Sequence, residues 1–308
     1  MLTGLEMDGK ITAYKRFIKI KNVRENGVIR RKSMKKKITY TLFIPGMVLV
    51  LYFMIMPLIG TIIPTFNSDG GFSLSQYTEF FKDPYNMEIF YRTMKISLIS
   101  AIICMFVGVP TAYFISRSSK NLRGLFMALT VFPILTNSVV RSFAWMSILG
   151  KSGIINSLLL KFNFISEPLT LLYTEGAIIV GTTYIFLPMM IISLVGVMEN
   201  IDKDLLEAAE SLGANKVKAF FKVVFPLSLP GLIVGTVLVF TGSLTAYTTP
   251  QLLGGNKNTV LATLIYQKTM TLGDWQGAAV VATVMIISTL IVIKGINFLA
   301  ARLDKRGV

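Results

Sequence analysis

The sequence has one cysteine, Cys104, and no histidine among its 308 residues. A single cysteine excludes an intrachain disulfide, and the lack of histidine excludes the common zinc sites and the histidine-based catalytic sets. The chain also shows no buried carboxylate pair and no recognisable activated nucleophile. We therefore assign no catalytic residue, no metal ligand and no cofactor, and we do not expect an enzyme.

Acidic residues are also scarce, with 16 aspartates and glutamates against 31 lysines and arginines and a net charge of +15. A basic balance of this size is one sign of nucleic-acid binding. However, 53% of the residues are hydrophobic and the mean hydropathy is +0.64, which is too apolar for an ordinary soluble domain. A polytopic membrane protein is expected, and the one-sided placement of its basic residues argues against a nucleic-acid partner.

The two ends of the chain are basic and cannot lie inside a membrane. Residues 1–38 form an arm with twelve lysines and arginines, and residues 301–308 form a shorter tail. Apolar residues recur at helical spacing in the arm, so a helix lying on anionic membrane lipid and a solvated tail are both open. Met34 precedes three lysines, as at a bacterial start, which leaves open whether residues 1–33 belong to the functional chain.

Between these ends, residues 39–300 contain six apolar runs that are each long enough for a transmembrane helix of about 20 residues. The first run is too long for a signal peptide and is expected to be retained. The fold class is therefore all-α, a polytopic protein with six transmembrane helices. The expected spans are residues 39–66, 95–115, 125–149, 177–197, 229–248 and 278–300.

The distribution of positive charge orients these spans. With both termini and the loops 117–124 and 199–228 in the cytoplasm, the cytoplasmic segments hold 23 of the 31 lysines and arginines. The other eight are spread over longer outer segments that also contain acidic residues. This distribution satisfies the positive-inside rule and predicts a multi-pass protein of a bacterial cytoplasmic membrane with both termini inside.

The loop between the fourth and fifth spans has the pattern of a helical hairpin. Asp202 is placed to cap a first helix, on which Leu205, Leu206, Ala209 and Leu212 form an apolar stripe. Gly213 suits the left-handed position that follows such a helix. The pattern alone also fits a cytoplasmic loop without a partner.

A second short helix is expected after this elbow, with Asn215 as its cap. One side of this helix would carry Val217, Phe220, Phe221 and Val224. We expect Pro226 and Pro230 to end it before the fifth span begins.

Residue identities in the hairpin are more specific than its pattern. Glu207, Ala208 and Ala209, then Gly213, and finally Phe225 and Pro226 resemble the EAA motif of permease subunits of binding-protein-dependent ABC importers. The usual Ile-x-Leu-Pro ending is replaced by Val-Val-Phe-Pro, which keeps the apolar character. The resemblance implies the MetI-like type I fold and assigns these six residues to coupling with an ATPase.

The same resemblance implies partners and a mechanism. A cytoplasmic ABC ATPase, expected as a dimer, would dock on the hairpin, and a second homologous permease subunit would complete the pathway. An extracytoplasmic solute-binding protein would deliver the cargo. ATP-driven closure of the ATPase pair would move the hairpin and tilt the spans.

A longer likeness points to a subgroup. The run Arg141 to Trp145, the segment 149–156, Leu171 to Thr174, Tyr184 to Pro188 and the segment 249–255 resemble the spermidine/putrescine permease I group. The likeness covers about residues 40–300 and implies a polyamine cargo. Opine-like compounds, aminophosphonates and other small organic solutes remain alternatives.

Five residues are candidates for a solute path: Asn137, Arg141, Tyr184, Thr245 and Tyr247. Polar side chains at membrane depth need partners or water, and a tyrosine face can hold a cation. Helix packing, or a charged and aromatic belt at the membrane boundary, would explain them equally. The spans contain no firmly intramembrane carboxylate, so a tight polycation site is not expected there.

Other function classes have less support. An ion-coupled secondary transporter typically keeps ionisable residues or broken helix pairs at mid-membrane, and the sequence shows few of either. Gly150-Lys151-Ser152 lacks the upstream glycine and the strand of a phosphate-binding loop, so nucleotide binding by this chain is rejected.

Overall fold

The computed structural model describes residues 41, 43–68 and 71–303. The basic arm 1–38 and most of the tail 301–308 therefore lie outside the described residues, and their predicted roles stay predictions. The chain divides into two compact units, Met1–Ile63 and Pro64–Val308. The described part of the first unit is one apolar helix, α1 (residues 43–62), which belongs to the candidate span Phe43–Phe66.

The second unit begins with a two-stranded antiparallel hairpin, β1 (Asn67–Ser68) and β2 (Gly71–Phe72). Helices of very different lengths follow it. They are α2 (Ser75–Lys82), α3 (Pro84–Arg117), α4 (Lys120–Leu135), α5 (Ser138–Leu149), α6 (Ile154–Lys161), α7 (Glu175–Met198), α8 (Lys203–Ser211), α9 (Lys216–Ala219), α10 (Phe225–Thr245), α11 (Thr248–Gly254), α12 (Leu261–Tyr266) and α13 (Trp275–Leu303), with π-helical turns at Phe220–Val224 and Gln267–Thr271.

The core of this unit lies between the long helices α3, α7 and α10. Cys104, Met190, Leu194 and Val239 are fully buried there. Some polar groups in the core pair across the helices, and the hydroxyls of Ser100 and Thr182 lie 2.8 Å apart. The three helices thus form a tightly packed bundle whose ends can be distinguished by their charged contacts.

Six segments of the described chain are long and apolar enough to cross a membrane, as predicted. They are Phe43–Phe66, Pro84–Arg117, Ser138–Lys161, Glu175–Met198, Lys216–Thr245 and Trp275–Arg302. Five of them contain most of the expected ranges. The third crossing was expected as one helix over 125–149, and the structure divides that range between α4 and α5.

The break between α4 and α5 has a local cause. Pro133 lies inside the last turn of α4 and cannot donate a backbone hydrogen bond, which weakens the helix at that point. Asn137 then caps α5, because its Oδ1 accepts from the N–H groups of Val139 at 2.8 Å and Val140 at 3.4 Å. The expected range 125–149 therefore holds two helices that meet at this break.

Two ends of the bundle can be defined from contacts across it. At one end, Arg117 at the close of α3 donates to the carbonyl of Ile201, which follows α7. At the other end, Arg92 near the start of α3 donates to Glu175 at the start of α7, at 3.2 Å. We call the first the hairpin end, because α8 and α9 lie there, and the second the distal end.

Candidate coupling hairpin and solute path

Helix α8 begins as the sequence predicted. Asp202 is its N-cap, and its Oδ1 accepts from the N–H of Asp204 at 3.2 Å. The helix ends at Ser211, and Gly213 follows with a positive φ of 84°. The N–H of Ala214 donates to the carbonyl of Ala209, which closes the turn as in a Schellman motif. The predicted elbow is therefore present.

The second helix of the hairpin also begins at its predicted cap. The Oδ1 of Asn215 accepts from the N–H of Lys218 at 2.8 Å. The helix does not end at Pro226 or Pro230, and that prediction is wrong. Pro226 lies in the first turn of α10 and Pro230 lies inside it.

A widened turn explains how the helix continues past Pro226. A proline ring collides with the carbonyl four residues before it in an α-helix. Here the preceding turn, Phe220–Val224, is π-helical, and the N–H of Phe225 donates to the carbonyl of Phe220 five residues back. The altered register accommodates the proline, so Lys216–Thr245 forms one continuous helical segment.

The hairpin turns only part of its apolar surface inward. Leu206 and Phe220 pack against the core of the bundle, and Val224 is fully buried. Four other apolar side chains are open to solvent: Leu205, Leu212, Val217 and Phe221, which are 47%, 89%, 65% and 61% exposed. The predicted one-sided apolar stripes are therefore split between the core and an outward surface, which we call the exposed hairpin residues.

Some residues of the EAA-like motif are exposed to solvent, and others are half-buried. Glu207, Ala208 and Gly213 are exposed, whereas Ala209 is half-buried. Glu207 makes no ion pair or hydrogen bond with its side chain within the described residues. An unpaired carboxylate beside exposed apolar side chains is a surface that a partner protein can cover.

Phe225 and Pro226, the other two motif residues, are half-buried at the start of α10. They join the hairpin to the span and face less solvent than Glu207. Their predicted role in coupling stays a prediction.

Two contacts hold the hairpin end to the bundle. The rings of Phe220 and Tyr113 meet edge to face with centroids 4.9 Å apart. Arg123 on α4 forms a 2.9 Å ion pair with Glu199, which follows α7. Movement of the hairpin would therefore be felt by α3, α4 and α7.

Of the predicted path residues, Asn137 and Arg141 both lie at the break between α4 and α5. Besides its capping role, Asn137 marks the point where α5 starts. The guanidinium of Arg141 donates to the carbonyl of Pro133 and to the carbonyl and hydroxyl of Thr136, the last at 3.1 Å. Both side chains thus satisfy backbone groups that the broken helix leaves open.

Tyr184 lies on α7 and contacts a different part of α5. Its ring meets Trp145 edge to face with centroids 5.6 Å apart. An aromatic pair of this kind is typical of helix packing near a membrane boundary.

Thr245 and Tyr247 lie where α10 ends and α11 begins. The hydroxyl of Thr245 donates to the carbonyl of Thr241, within its own helix. The ring of Tyr247 lies on that of Tyr266, with centroids 4.8 Å apart. Burial and the neighbouring Tyr266 raise the pKa of Tyr247, so its phenol stays protonated at neutral pH. No hydrogen bond or ring contact among the described residues joins this pair to Asn137, Arg141 or Tyr184.

The distal end also holds a cavity that the sequence did not reveal. It measures about 320 Å³ and is lined by Tyr85, Gln251, Asn256, Tyr266, Gln267 and neighbouring threonines. The lining residues come from α3, α11 and the segment after it, so no local motif marks them. Only the tyrosine pair could have drawn attention to this place, through the prediction for Tyr247.

Carboxylates are rare within the spans. In the six described spans, Glu88 and Glu175 are the only ones, and both pair with Arg92 at the distal end. The described residues contain no group of three or more histidine, cysteine, aspartate or glutamate side chains that could hold a metal ion.

Comparison with known proteins identifies the family to which this chain belongs. Residues 105–306 match the family described as "Binding-protein-dependent transport system inner membrane component". The chain belongs to that family. It is a multi-pass membrane protein and a permease subunit of an ABC importer, and as such a transport component and not an enzyme.

Curated relatives of this permease cover most of its length. It is 33% identical over 223 residues to the spermidine/putrescine transport system permease protein PotB of Escherichia coli (strain K12), covering 72% of this chain and 81% of that protein. The PotB protein of Haemophilus influenzae is 34% identical over 221 residues, covering 71% and 77%. The molybdenum transport system permease protein ModB of Mycobacterium bovis is 26% identical over 217 residues, covering 70% and 80%.

Solved structures share the fold of the permease. A bacterial ABC transporter involved in the import of the acidic polysaccharide alginate matches with a TM-score of 0.70 at 17% identity, covering 90% of this chain and 99% of that one. A complex of the alginate transporter with a periplasmic protein bound to an alginate pentasaccharide matches with a TM-score of 0.73 at 18% identity, covering 88% and 96%. The all-α permease fold is thus confirmed.

Proposed function

We propose that this permease imports a polyamine such as spermidine or putrescine, with its hairpin as the contact for a cytoplasmic ABC ATPase. The cargo is proposed because the PotB permeases, named for spermidine and putrescine, are about one-third identical over most of the chain. Other cargoes remain alternatives, because the more distant relative ModB is named for molybdenum transport.

The ATPase contact rests on one observation, the exposed hairpin residues. Leu212 is 89% exposed and follows directly on α8, which carries the unpaired Glu207. Exposed apolar side chains rimmed by charge are typical of protein interfaces. An ATPase that docks here would place the hairpin end in the cytoplasm, which agrees with the predicted positive-inside topology.

The rest of the assembly follows from this placement. The distal end would face outward and receive cargo from a solute-binding protein, the partner that the family description implies. A second permease subunit would cover part of the apolar surface of the bundle, because a single bundle does not by itself enclose a path for the solute. An ion-coupled transporter is the second candidate, favoured only by the broken helix at Asn137.

The test uses the complete transporter, purified with the ATPase, the second permease and the binding protein encoded beside it, in liposomes. Glu207→Lys reverses the charge in the hairpin, and Gly213→Pro forbids the positive φ of its elbow. We expect both changes to reduce ATP-driven spermidine uptake by at least about tenfold, a loss of roughly 1.4 kcal/mol in coupling.

Glu210→Lys is the matched control, because Glu210 is an exposed carboxylate on the same short helix but lies outside the motif. Its uptake should stay within about twofold of the wild type. Unchanged ATP-coupled uptake in Glu207→Lys and Gly213→Pro would overturn the docking role. Uptake that persists without ATP but requires an ion gradient would favour the second candidate.

A further inference from the structure

The distal cavity, whose lining includes Tyr85, Gln251, Asn256, Tyr266 and Gln267, has the chemistry of a ligand site. Its volume of about 320 Å³ is at the lower end of the range for small-molecule pockets. No charged side chain lines it. Tyrosine rings and carboxamides line it instead, from segments that are far apart in the sequence.

The three carboxamides that line the cavity are free to bind a solute. Within the described residues, the carboxamides of Gln251, Asn256 and Gln267 form no hydrogen bond to another protein group. A carboxamide oxygen can accept two hydrogen bonds from an ammonium group. These three side chains therefore supply acceptors that the fold itself does not use.

The aromatic groups favour a cation over an anion. Tyr266 lines the cavity and lies against Tyr247 at 4.8 Å, and Tyr85 lines it from the start of α3. The face of a tyrosine ring attracts a cation within about 6 Å of its centroid. No lysine or arginine lines the cavity to attract a phosphate or a carboxylate.

The walls are held in place by contacts made elsewhere. Arg92 donates to the carbonyl of Thr259 at 3.2 Å, and the hydroxyl of Thr93 accepts from the N–H of Leu261 at 2.9 Å. Arg92 and Lys95 pair with Glu88 and Glu175, so these four charges cancel and add no net repulsion for a cation. The cavity is preformed and its surroundings are close to neutral.

A π-helical turn forms one wall. The N–H of Leu272 donates to the carbonyl of Gln267 five residues back, over the turn Gln267–Thr271. Both Gln267 and Thr271 line the cavity. Single π-helical turns are frequent at functional sites.

We propose that this cavity binds an ammonium group of the transported solute at the distal end, before the solute passes between the spans. The inference rests on the proposed function, because it assigns a place to an organic amine that the transporter moves. The ammonium would lie against the Tyr266 and Tyr85 rings and donate to the carboxamide oxygens. A neutral diol of the same length would lose the contact with the ring faces and would donate fewer and weaker hydrogen bonds to the carboxamides.

The test exploits the single native cysteine. Cys104 is fully buried, so within this chain an introduced cysteine can be labelled selectively, and its modification is read on the permease band of the complete transporter. In Gln267→Cys the thiol would lie in the cavity wall. In Met270→Cys, the matched control, it would lie in the same π-helical turn but outside the lining, at a side chain that is 64% exposed.

The measurement is the rate at which a trimethylammonium methanethiosulfonate reagent modifies each cysteine. We expect spermidine and putrescine to slow modification of Gln267→Cys by about fivefold when the site is about four-fifths occupied. Butane-1,4-diol, which is putrescine with hydroxyls in place of its amines, should protect much less at the same concentration. Modification of Met270→Cys should not change with any of the three probes.

A second variant guards against a merely steric effect of the probes. Tyr266→Leu, combined with Gln267→Cys, removes the ring and should abolish the protection, whereas Tyr266→Phe keeps the ring and should retain it. Equal protection by butane-1,4-diol, or protection that survives Tyr266→Leu, would overturn the ammonium site.

Failure of this inference differs from failure of the proposed function. If ATP-driven uptake of labelled spermidine proceeds while Gln267→Cys is never protected, the cavity is not an amine site and the proposed cargo stands. If the wild-type transporter takes up no spermidine, the proposed cargo is wrong, and protection by putrescine alone then decides whether the cavity binds ammonium.

Discussion

The ring of Phe220, in the π-helical turn of the hairpin, packs edge to face against Tyr113 of α3, with centroids 4.9 Å apart. The guanidinium of Arg117, one turn further along α3, lies 5.7 Å from the centroid of the same tyrosine ring. Phe220 is thus one of the residues through which the hairpin contacts the core of the bundle, beside Leu206 and Val224. Its neighbour Phe221 is 61% exposed.

This pair of adjacent phenylalanines gives the first prediction. Phe220→Ala should destabilise the isolated permease by about 2 kcal/mol, less than for a fully buried phenylalanine because Phe220 is half-buried. Phe221→Ala should change stability by less than about 0.5 kcal/mol but should weaken binding of the ATPase. Denaturation midpoints in detergent and co-purification of the ATPase measure the two effects. Equal destabilisation by both changes would contradict the assigned division of the hairpin.

A second prediction concerns the turn after α11. Gly255 has a φ of +63°, and a Cβ there would lie 2.9 Å from Cδ1 of the Tyr173 ring. The ψ of Gly255 is −170°, a conformation nearly restricted to glycine, so Gly255→Ala should suffer a backbone cost of about 1–3 kcal/mol and a steric cost in addition. The measurement is the denaturation midpoint, together with uptake.

Gly273→Ala is the control for that experiment. Gly273 has a similar φ of +68°, but a Cβ there would meet no atom within 4 Å. It should show the backbone cost alone. If the two variants are equally destabilised, the contact between Tyr173 and Gly255 contributes nothing.

The third prediction separates two roles for Arg141. Arg141→Leu would leave the half-buried carbonyl of Thr136 without its donor, at about 1 kcal/mol, whereas the carbonyl of Pro133 would keep the hydroxyl of Thr136 as a donor at 2.8 Å. Arg141→Lys should recover part of the loss, because an ammonium can reach fewer of these acceptors than a guanidinium. A structural role predicts that stability and uptake fall together. A change in solute selectivity at unchanged stability would instead make Arg141 a residue of the path.

The fourth prediction uses the carboxylate that begins α13. Asp274 accepts from Lys268 at 2.9 Å and from the N–H of Gly277 at 2.7 Å, and both contacts lower the pKa of Asp274. A carboxylate with a lowered folded pKa stabilises the protein above its unfolded pKa of about 3.9, and this stabilisation is lost as the pH falls through the folded value.

Asp274→Asn therefore serves as the comparison. The difference in denaturation midpoint between wild type and variant should be constant from pH 7 to about pH 4 and should shrink below it. A difference that grows on acidification would contradict the assignment.

The features that the sequence predicted are local ones. Asp202, Gly213 and Asn215 were correctly placed in the hairpin, because a cap or a left-handed turn depends on a few neighbouring residues. The apolar runs gave six spans for the same reason. Family membership followed from residue identities in that hairpin and was confirmed by comparison.

The features that the sequence missed depend on distant contacts. Pro226 was expected to end a helix, but the π-helical turn before it and the burial of Val224 carry the helix through. The stripes of the hairpin were split because Tyr113, far away in the sequence, takes Phe220 inward. The distal cavity combines residues from α3 and the segment after α11, so only the tertiary fold assembles it.

The unbroken helix from Lys216 to Thr245 has a mechanical consequence. Its 30 residues span about 45 Å, at a rise of about 1.5 Å per residue. Such a rod turns a small rotation into a large displacement, because a tilt of about 5° pivoted at its foot shifts its tip by about 4 Å. A displacement of the helix at Lys216 would thus move the residues beside Tyr247 directly, through the helix itself.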